Sequence, residues 1–191
     1  MPPKAEITKE TVLEAAFELV RAEGLEALTA RNIAQKLKCS TQPVYSVYGN
    51  MEAVNDDVYS KAIDFTLAKI KQYENPTNEP ALNLAIGCLI FAKNEKQLFK
   101  TVYLTDHSRH YLKKEKGKLK EELYAAFLRL DNRLGTIDEI KLEKLFIKLS
   151  IFMIGIGAMI NTHSLELDIQ EAEEMIVEMY EALMLNEGLA N

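Results

Sequence analysis

Polar side chains that can donate and accept hydrogen bonds are concentrated in the segment Thr41–Tyr48, whose sequence is Thr-Gln-Pro-Val-Tyr-Ser-Val-Tyr. Glutamine can hydrogen-bond to base edges, and tyrosine and serine hydroxyls can bind phosphate oxygens. Threonine and proline carbons can contact thymine methyl groups. In a helix, Val44, Val47 and Tyr48 would share the inward side, which leaves a small polar face on the other side.

The charge near this segment differs from that of the whole chain. From Thr29 to Asn50 the charged residues are Arg31, Lys36 and Lys38, whereas the chain has 23 Lys+Arg, 29 Asp+Glu and a formal net charge of −6. A basic stretch in an acidic chain indicates a polyanion as the partner of that stretch. An ordinary pair of helices with a solvated face is the alternative interpretation.

The segment 29–49 predicts two short helices around a tight turn. Thr29 is an N-cap type residue, whose hydroxyl can accept a hydrogen bond from an early helical amide. Lys38-Cys39-Ser40 interrupts the apolar spacing, and Ser40 or Thr41 can cap the second helix. Pro43 fits the first turn of that helix, where its missing amide hydrogen has no acceptor anyway. A helix from Thr8 to about Glu23, ended by Gly24, precedes the pair.

Several short motifs stand in fixed register between Ile7 and Ala62. They are Val12-Leu-Glu-Ala-Ala-Phe-Glu-Leu-Val, Gly24, Leu28-Thr-Ala-Arg-Asn-Ile-Ala, Val44-Tyr45, Tyr48 and Asn50-Met-Glu-Ala-Val. This run, about a third of the chain, resembles the helix-turn-helix domain of the TetR family of bacterial transcriptional regulators. Three residues depart from the family pattern: Lys38 replaces a turn glycine, Cys39 replaces a valine, and Met51 replaces a lysine that touches a phosphate in relatives.

The resemblance implies a one-component transcriptional regulator, most simply a repressor that binds a palindromic operator as a homodimer and is released by a small molecule. It implies no enzymatic activity and no cofactor. The family pattern assigns a DNA-binding domain to residues 1–51 and a ligand-binding and dimerisation domain to residues 52–191. The predicted DNA-contacting residues are Thr29, Arg31, Thr41, Gln42, Pro43, Tyr45, Ser46 and Tyr48, with Thr29 and Tyr48 on the DNA backbone. A helical ligand-binding or enzymatic protein whose head no longer reads DNA is the alternative, and Met51 favours it.

The apolar spacing of the whole chain predicts an all-α fold of about nine helices. Beyond residue 50, helices are expected at about 51–73, 81–93, 97–104, 119–134, 138–163 and 168–187. The stretch Asn75–Pro80 reads as a loop, and residues 105–116 read as polar and irregular.

The last two helices carry more apolar surface than a small domain needs. In the family these helices pair with their copies, so the interface of a homodimer is predicted there. The residues expected in it are Leu149, Phe152, Ile156, Gly157, Met175 and Met179. Gly155 and Gly157 each cost roughly 1 kcal/mol in a helix relative to alanine. Close approach of another helix is the usual reason for such glycines.

Five aromatic residues could line a cavity for the effector in the C-terminal part: Phe91, Phe99, Tyr103, Phe127 and Phe152. Few charges are interleaved with them, so a mostly apolar, uncharged or cationic ligand is expected. The negative charge of this part would repel anions as they approach. A filled core without a ligand is the alternative.

Other chemistry finds little support in the sequence. Cys39 and Cys88 form no disulfide framework, which fits a reducing cytosol. No signal peptide is visible, and the apolar run from Ile151 to Ile160 is too short to span a bilayer, so a cytoplasmic protein is expected. His107 and His110 beside Asp106 could bind a metal, but a solvated loop is the simpler interpretation, and no metal is predicted. A redox role for Cys39 beside Lys38 is likewise less simple than a small turn residue.

Overall fold

The computed structural model describes residues 6–105 and 110–189, without the side chains of 110–116. Among these residues there are α-helices and turns but no β-strand. The helices are α1 (Lys9–Glu23), α2 (Ala30–Lys36), α3 (Thr41–Tyr48), α4 (Met51–Ile70), α5 (Pro80–Asn94), α6 (Lys96–Phe99), α7 (His110–Phe127), α8 (Glu139–Asn161) and α9 (Ile169–Asn186). The prediction of an all-α fold with about nine helices is confirmed for this part of the chain.

The chain divides into two compact units. Unit 1 combines Met1–Phe65 with Glu95–Lys116, and unit 2 combines Thr66–Asn94 with Gly117–Asn191. The α2–α3 pair belongs to unit 1, α8 and α9 belong to unit 2, and α4 and α7 contribute residues to both. The functional boundary expected at residue 51 is a different kind of division and stays a prediction.

Helix α1 has a defined start and end. Thr8 and Thr11 form a capping box, in which each hydroxyl accepts a hydrogen bond from the other residue's backbone amide. Gly24 ends the helix with a φ of 94°, a backbone angle that residues other than glycine rarely adopt. Its amide donates to the Val20 carbonyl at 2.9 Å. The buried face consists of Val12, Ala15, Ala16, Phe17, Leu19 and Val20. This face holds α2 and α3 in place within unit 1.

A segment distant in sequence completes unit 1 by packing on α1. The apolar spacing predicts a single helix over residues 97–104, but the structure has the short α6 and then a π-helical turn, Lys100–Leu104. In that turn the Thr101 hydroxyl donates to the Gln97 carbonyl at 2.8 Å. Such side-chain bonds compete with the regular backbone ladder of an α-helix.

Helix α7 begins and ends earlier than the sequence pattern predicts. The irregular stretch expected at 105–116 is helical from His110 onward. Lysine, glutamate and leucine are strong helix formers, and they dominate this stretch without making an apolar stripe. The helix ends at Phe127, so Leu130 and Leu134, which were expected inside it, lie in a turn and in the 3₁₀ helix Asn132–Thr136.

Unit 2 packs α5, α8 and α9 against one another. One hydrophobic cluster consists of Ile86, Leu89, Ile156, Ile160, Ala172 and Ile176. Another consists of Phe127, Leu134, Leu145, Phe146, Tyr180 and Met184. In the described ranges, no helix combines the length and apolar character that crossing a membrane requires.

Candidate nucleic-acid interface

The pair α2–α3 has the local geometry that the sequence predicts. Thr29 caps α2, and its hydroxyl oxygen accepts the Asn32 amide at 3.2 Å. Lys38 then turns the chain with a φ of 53°, in the left-handed region that glycine adopts most easily. The Cys39 amide donates to the Ala34 carbonyl at 2.9 Å and closes the end of α2. The tight turn between the two helices therefore forms although lysine occupies the left-handed position.

Helix α3 has one buried side and one exposed side. Val44 is 0% exposed and Tyr48 is 8% exposed, and these two residues fix the helix on unit 1. Thr41, Gln42, Tyr45 and Ser46 are exposed, and Pro43 is half-buried beside them. The face predicted to enter the major groove is therefore accessible along the length of the helix. Its function as a DNA-reading surface stays a prediction.

The charged residues within the helix-turn-helix segment itself are all positive. Arg31, Lys36 and Lys38 are exposed, and none of them makes an ion pair with another residue that the structure describes. No acidic residue occurs between Glu26 and Glu52. A polyanion would therefore meet three exposed cations here, and no protein carboxylate would compete for them within the same segment.

Thr29 and Arg31 lie at the start of α2, where a phosphate could be bound. Both side chains are exposed. The Thr29 hydroxyl uses its oxygen as an acceptor for the Asn32 amide, so its hydrogen remains available to donate to a phosphate oxygen. The first turn of a helix also favours an anion because of the helix dipole.

Tyr48 occupies a different environment from the other predicted DNA contacts. Its hydroxyl donates to the Asp57 carboxylate at 3.1 Å, and the Lys9 ammonium lies 5.0 Å from its ring centroid. Burial raises the pKa of Tyr48, and the hydrogen bond to Asp57 raises it further. The hydroxyl hydrogen is thus already used inside unit 1, and a contact of Tyr48 with the DNA backbone stays a prediction.

The first turns of α1 lie close to the helix-turn-helix pair. A groove of about 630 Å³ is lined on one side by Glu6, Ile7 and Thr11. Its other side is lined by Leu37, Lys38, Cys39, Ser40 and Pro43. The start of α1 therefore flanks the turn and the first residues of α3, which the sequence pattern did not indicate because the two segments are about thirty residues apart.

The residues predicted for a homodimer interface are divided between surface and core. Leu149, Phe152, Met175 and Met179 are half-buried. Ile156 is 5% exposed and Gly157 is buried, so both belong to the interior of unit 2 and do not face outward. The outward side of α8 instead presents Ile147, Ile151, Gly155 and Met159.

The five aromatic residues predicted for an effector pocket are divided between the two units. Phe99 and Tyr103 belong to unit 1, with ring centroids 5.0 Å apart. Phe91, Phe127 and Phe152 belong to unit 2, where Phe127 packs beside Tyr124 and Phe146. Phe152 packs against the other hydrophobic cluster of that unit. A pocket lined by all five stays a prediction.

The remaining candidates are a metal site near His107 and His110 and the thiol of Cys39. His107 and Asp106 lie outside the described residues, as does the side chain of His110. Among the described residues, no group of three or more His, Cys, Asp or Glu side chains is placed to hold a metal. Cys39 is a half-buried free thiol in the turn, as expected for a small turn residue.

The chain was compared with family models, curated protein sequences and solved structures, and only the solved structures match it. No family model and no curated protein sequence matches the chain. Among solved structures, a TetR-family transcriptional regulator from Streptomyces coelicolor superposes with a TM-score of 0.73 at 13% identity, covering 94% of this chain and 81% of that one. A transcriptional regulator from Pseudomonas aeruginosa PAO1 gives a TM-score of 0.71 at 12% identity, covering 93% and 90%. The multidrug binding protein EbrR, complexed with proflavin, gives 0.64 at 14% identity, covering 91% and 99%.

The chain therefore has the fold of TetR-family regulators over more than nine-tenths of its length. This agrees with the family resemblance of residues 7–62. Identities of 12–14% establish the fold and leave the function to be argued from the residues of this chain.

Proposed function

We propose that this protein is a one-component transcriptional regulator that binds double-stranded operator DNA through α3 and releases it when a small molecule binds. The observation that carries the proposal is the exposed polar face of α3, in a segment whose three charged residues are all exposed cations although the whole chain is acidic. A major groove accepts one α-helix, and the side chains on this face are those that pair with base edges and phosphates.

The individual contacts follow from exposure and chemistry. Gln42 is the residue best suited to read a base, since its amide both donates and accepts. Thr41, Pro43, Tyr45 and Ser46 surround it. At the start of α2, Thr29 contacts the DNA backbone, and Arg31 reaches a base or a phosphate. Tyr48 positions α3 through its contacts with Asp57 and Lys9.

A homodimer is part of the proposal because a two-fold protein matches a palindromic operator. The support is the exposed apolar strip of α8, in which Ile151 is 67% exposed and Ile147 and Met159 are each almost half exposed. Large side chains of this kind rarely form a continuous exposed strip in a monomer.

The proposed effector is a small, mostly apolar molecule. EbrR, which has the same fold, is a multidrug binding protein complexed with proflavin. In the present chain the excess of acidic residues disfavours anions. Release requires that the effector bind more tightly to the protein conformation that does not fit the operator. In this form the protein acts as a repressor in the cytoplasm.

A DNA-binding experiment tests the proposal directly. The protein is titrated into a labelled fragment from upstream of its own gene and into random DNA of equal length, and binding is followed by mobility shift and anisotropy. Gln42→Ala is expected to cost about 1–3 kcal/mol on the specific fragment and to relax specificity at one base pair. Gln35→Ala is the matched control, since it removes an exposed glutamine from α2 and leaves the α3 face intact.

The two candidate functions give different results in this experiment. Tighter binding to the upstream fragment than to random DNA, lost selectively in Gln42→Ala, supports the regulator. Equal losses on both DNAs would show that Gln42 does not read a base. No binding to either DNA would favour the alternative, a helical protein whose head does not recognise DNA.

A further inference from the structure

Three side chains from separate helices meet beside the candidate DNA face. The Lys9 ammonium lies 2.7 Å from Oδ2 of Asp57, and the Tyr48 hydroxyl donates to the same oxygen at 3.1 Å. The Lys9 ammonium also lies over the Tyr48 ring, 5.0 Å from its centroid. The cluster therefore joins the first turn of α1, the last turn of α3 and the second turn of α4.

The position of this cluster matters because Tyr48 stands next to the exposed side of α3. On a helix, residue 48 lies beside residues 41 and 45, seven and three positions earlier, and both of these are exposed. Lys9, which covers the Tyr48 ring, therefore stands at the edge of that face. Its side chain is 55% exposed, so a phosphate of bound DNA can reach it.

A carboxylate and a phosphate compete for the same ammonium group. In the free protein Asp57 compensates the charge of Lys9, and Glu10 places another exposed carboxylate on the adjacent residue. The local charge of Lys9, Asp57 and Glu10 together is thus −1 at neutral pH. Asp57 is a group that DNA binding must displace from Lys9 or leave close to a phosphate, and either outcome weakens binding.

We propose that Lys9 is a phosphate contact of the DNA-bound state and that Asp57, by holding Lys9 in the free state, lowers the affinity for DNA independently of its sequence. The inference rests on the proposed function, since it concerns the same DNA-binding unit. Lys9 supplies a backbone contact from α1, outside the helix-turn-helix pair. Asp57 sets how strongly that contact adds to binding.

The chain contains a matched control for this cluster. Lys61 forms an ion pair with Glu14 and lies over the Phe17 ring, 5.1 Å from its centroid. This second cluster also joins α1 and α4 through a lysine, a carboxylate and an aromatic ring. It lies four to five residues further along both helices, about 6–8 Å further from the end that flanks α3. Lys61→Gln should therefore leave DNA binding unchanged.

The experiment measures affinity for the upstream fragment and for random DNA at several salt concentrations. Lys9→Gln is expected to weaken both affinities by roughly three- to tenfold. It should also make the slope of log affinity against log salt shallower, by the amount that about one phosphate contact contributes. Lys9→Arg should retain the affinity. Asp57→Asn is expected to raise both affinities by a similar factor, while its amide oxygen can still accept the Tyr48 hydroxyl.

The double variant Lys9→Gln/Asp57→Asn separates the proposed competition from general repulsion. If Asp57 acts through Lys9, the double variant binds like Lys9→Gln alone. If Asp57→Asn raises the affinity equally in both backgrounds, Asp57 acts by repulsion alone and its proposed role is overturned. Thermal melting verifies that each variant is folded. If Asp57→Asn does not fold, the affinity and salt slope of Lys9→Gln still show whether Lys9 contacts a phosphate.

The remaining outcomes distinguish this inference from the proposed function. If the parent protein binds DNA and Lys9→Gln changes neither affinity nor salt slope, the phosphate contact is overturned while the regulator remains. An equal loss in Lys61→Gln and Lys9→Gln would also overturn it, because the effect would then be one of overall charge. If the parent binds no DNA at all, the proposed function fails, and this inference fails with it.

Discussion

Arg21 and Glu95, 74 residues apart, form a two-pronged ion pair within unit 1. Nε and Nη2 of Arg21 donate to the two carboxylate oxygens at 2.9 and 2.7 Å, and the guanidinium also lies over the Phe65 ring. The hydrogen bonds that Arg21 donates to the Glu95 carboxylate raise the pKa of Arg21. The pair ties the last turn of α1 to the residue preceding α6. It is therefore a polar link between the helix that supports α2–α3 and the segment beginning at residue 95.

Glu95→Gln should destabilise the protein by about 1 kcal/mol, because it removes the charge from a paired acceptor that is only 12% exposed. Glu18→Gln is the control on the same arginine, since Glu18 lies 3.6 Å from Arg21 and is 40% exposed. Exposed pairs of this kind contribute little. Urea unfolding of both variants measures the difference. Equal losses would show that the two-pronged geometry adds nothing.

Gly87→Ala should destabilise unit 2 by about 1–3 kcal/mol. A Cβ at residue 87 would lie 2.2 Å from the carbonyl oxygen of Ile70, and a backbone atom cannot move aside as a flexible side chain can. Gly117→Ala is the opposite control, because nothing lies within 4 Å of its Cβ position in α7. It should stabilise by up to roughly 1 kcal/mol through helix propensity. Thermal unfolding of the two variants should therefore shift in opposite directions.

Much of the fold follows from local sequence signals. Apolar spacing predicts the order of the helices, and capping residues such as Thr8, Thr29 and Gly24 define ends that the structure confirms. The start of α7 was missed because its residues favour a helix without forming an apolar stripe. The change from α6 to the π-helical turn was missed because apolar spacing over so few residues does not distinguish these helix types.

For the candidate site, the sequence predicts which residues of one helix are exposed. It does not predict which residues of different helices contact each other. Helical spacing is sufficient to place Gln42 and Tyr45 on an exposed face. It does not reveal that Asp57 accepts the Tyr48 hydroxyl, since the partner comes from another helix. In α8, where apolar residues occur on nearly all sides, spacing also does not tell which residues the chain itself buries. Ile156 was therefore assigned to the homodimer interface although the chain itself buries it.

Asp131→Asn should reduce stability at neutral pH and lose this effect in acid. Arg133 donates to Asp131 at 2.6 Å, and this hydrogen bond lowers the pKa of the carboxyl, with the Tyr180 hydroxyl contributing at 3.2 Å. A carboxyl with a lowered folded-state pKa stabilises the protein above the unfolded-state pKa of about 3.9. That stabilisation disappears as the pH falls through the folded-state value.

The measurement is the free energy of unfolding of parent and variant from pH 7 downward. The two curves should lie apart at pH 7 and approach each other below about pH 4. In an Arg133→Gln background the gap should be much smaller, because the main cause of the lowered pKa is gone. A gap that persists unchanged into acid would mean that Asp131 acts through shape and not through its charge.

Ile151→Glu should convert the proposed homodimer to a monomer. Ile151 is 67% exposed at the centre of the outward strip of α8, and the open space above Gly155 would let a helix of a second copy approach closely. A charge buried at such an interface, without a partner, is strongly unfavourable. Leu128→Glu, at another exposed aliphatic residue of unit 2, is the control and should leave the assembly unchanged.

Gly155→Leu tests the same face by size and not by charge. The added side chain should hold the two copies apart and weaken the dimer, while leucine improves helix propensity over glycine by roughly 1 kcal/mol. A substitution of Gly157 would not separate an effect on the dimer from an effect on the fold, because Gly157 is buried in the core of unit 2. Sedimentation velocity at micromolar concentration gives the assembly, and thermal melting gives the fold. A monomeric parent, or a dimer that survives Ile151→Glu, would place the interface elsewhere or remove it, and the palindromic operator would then lose its structural basis.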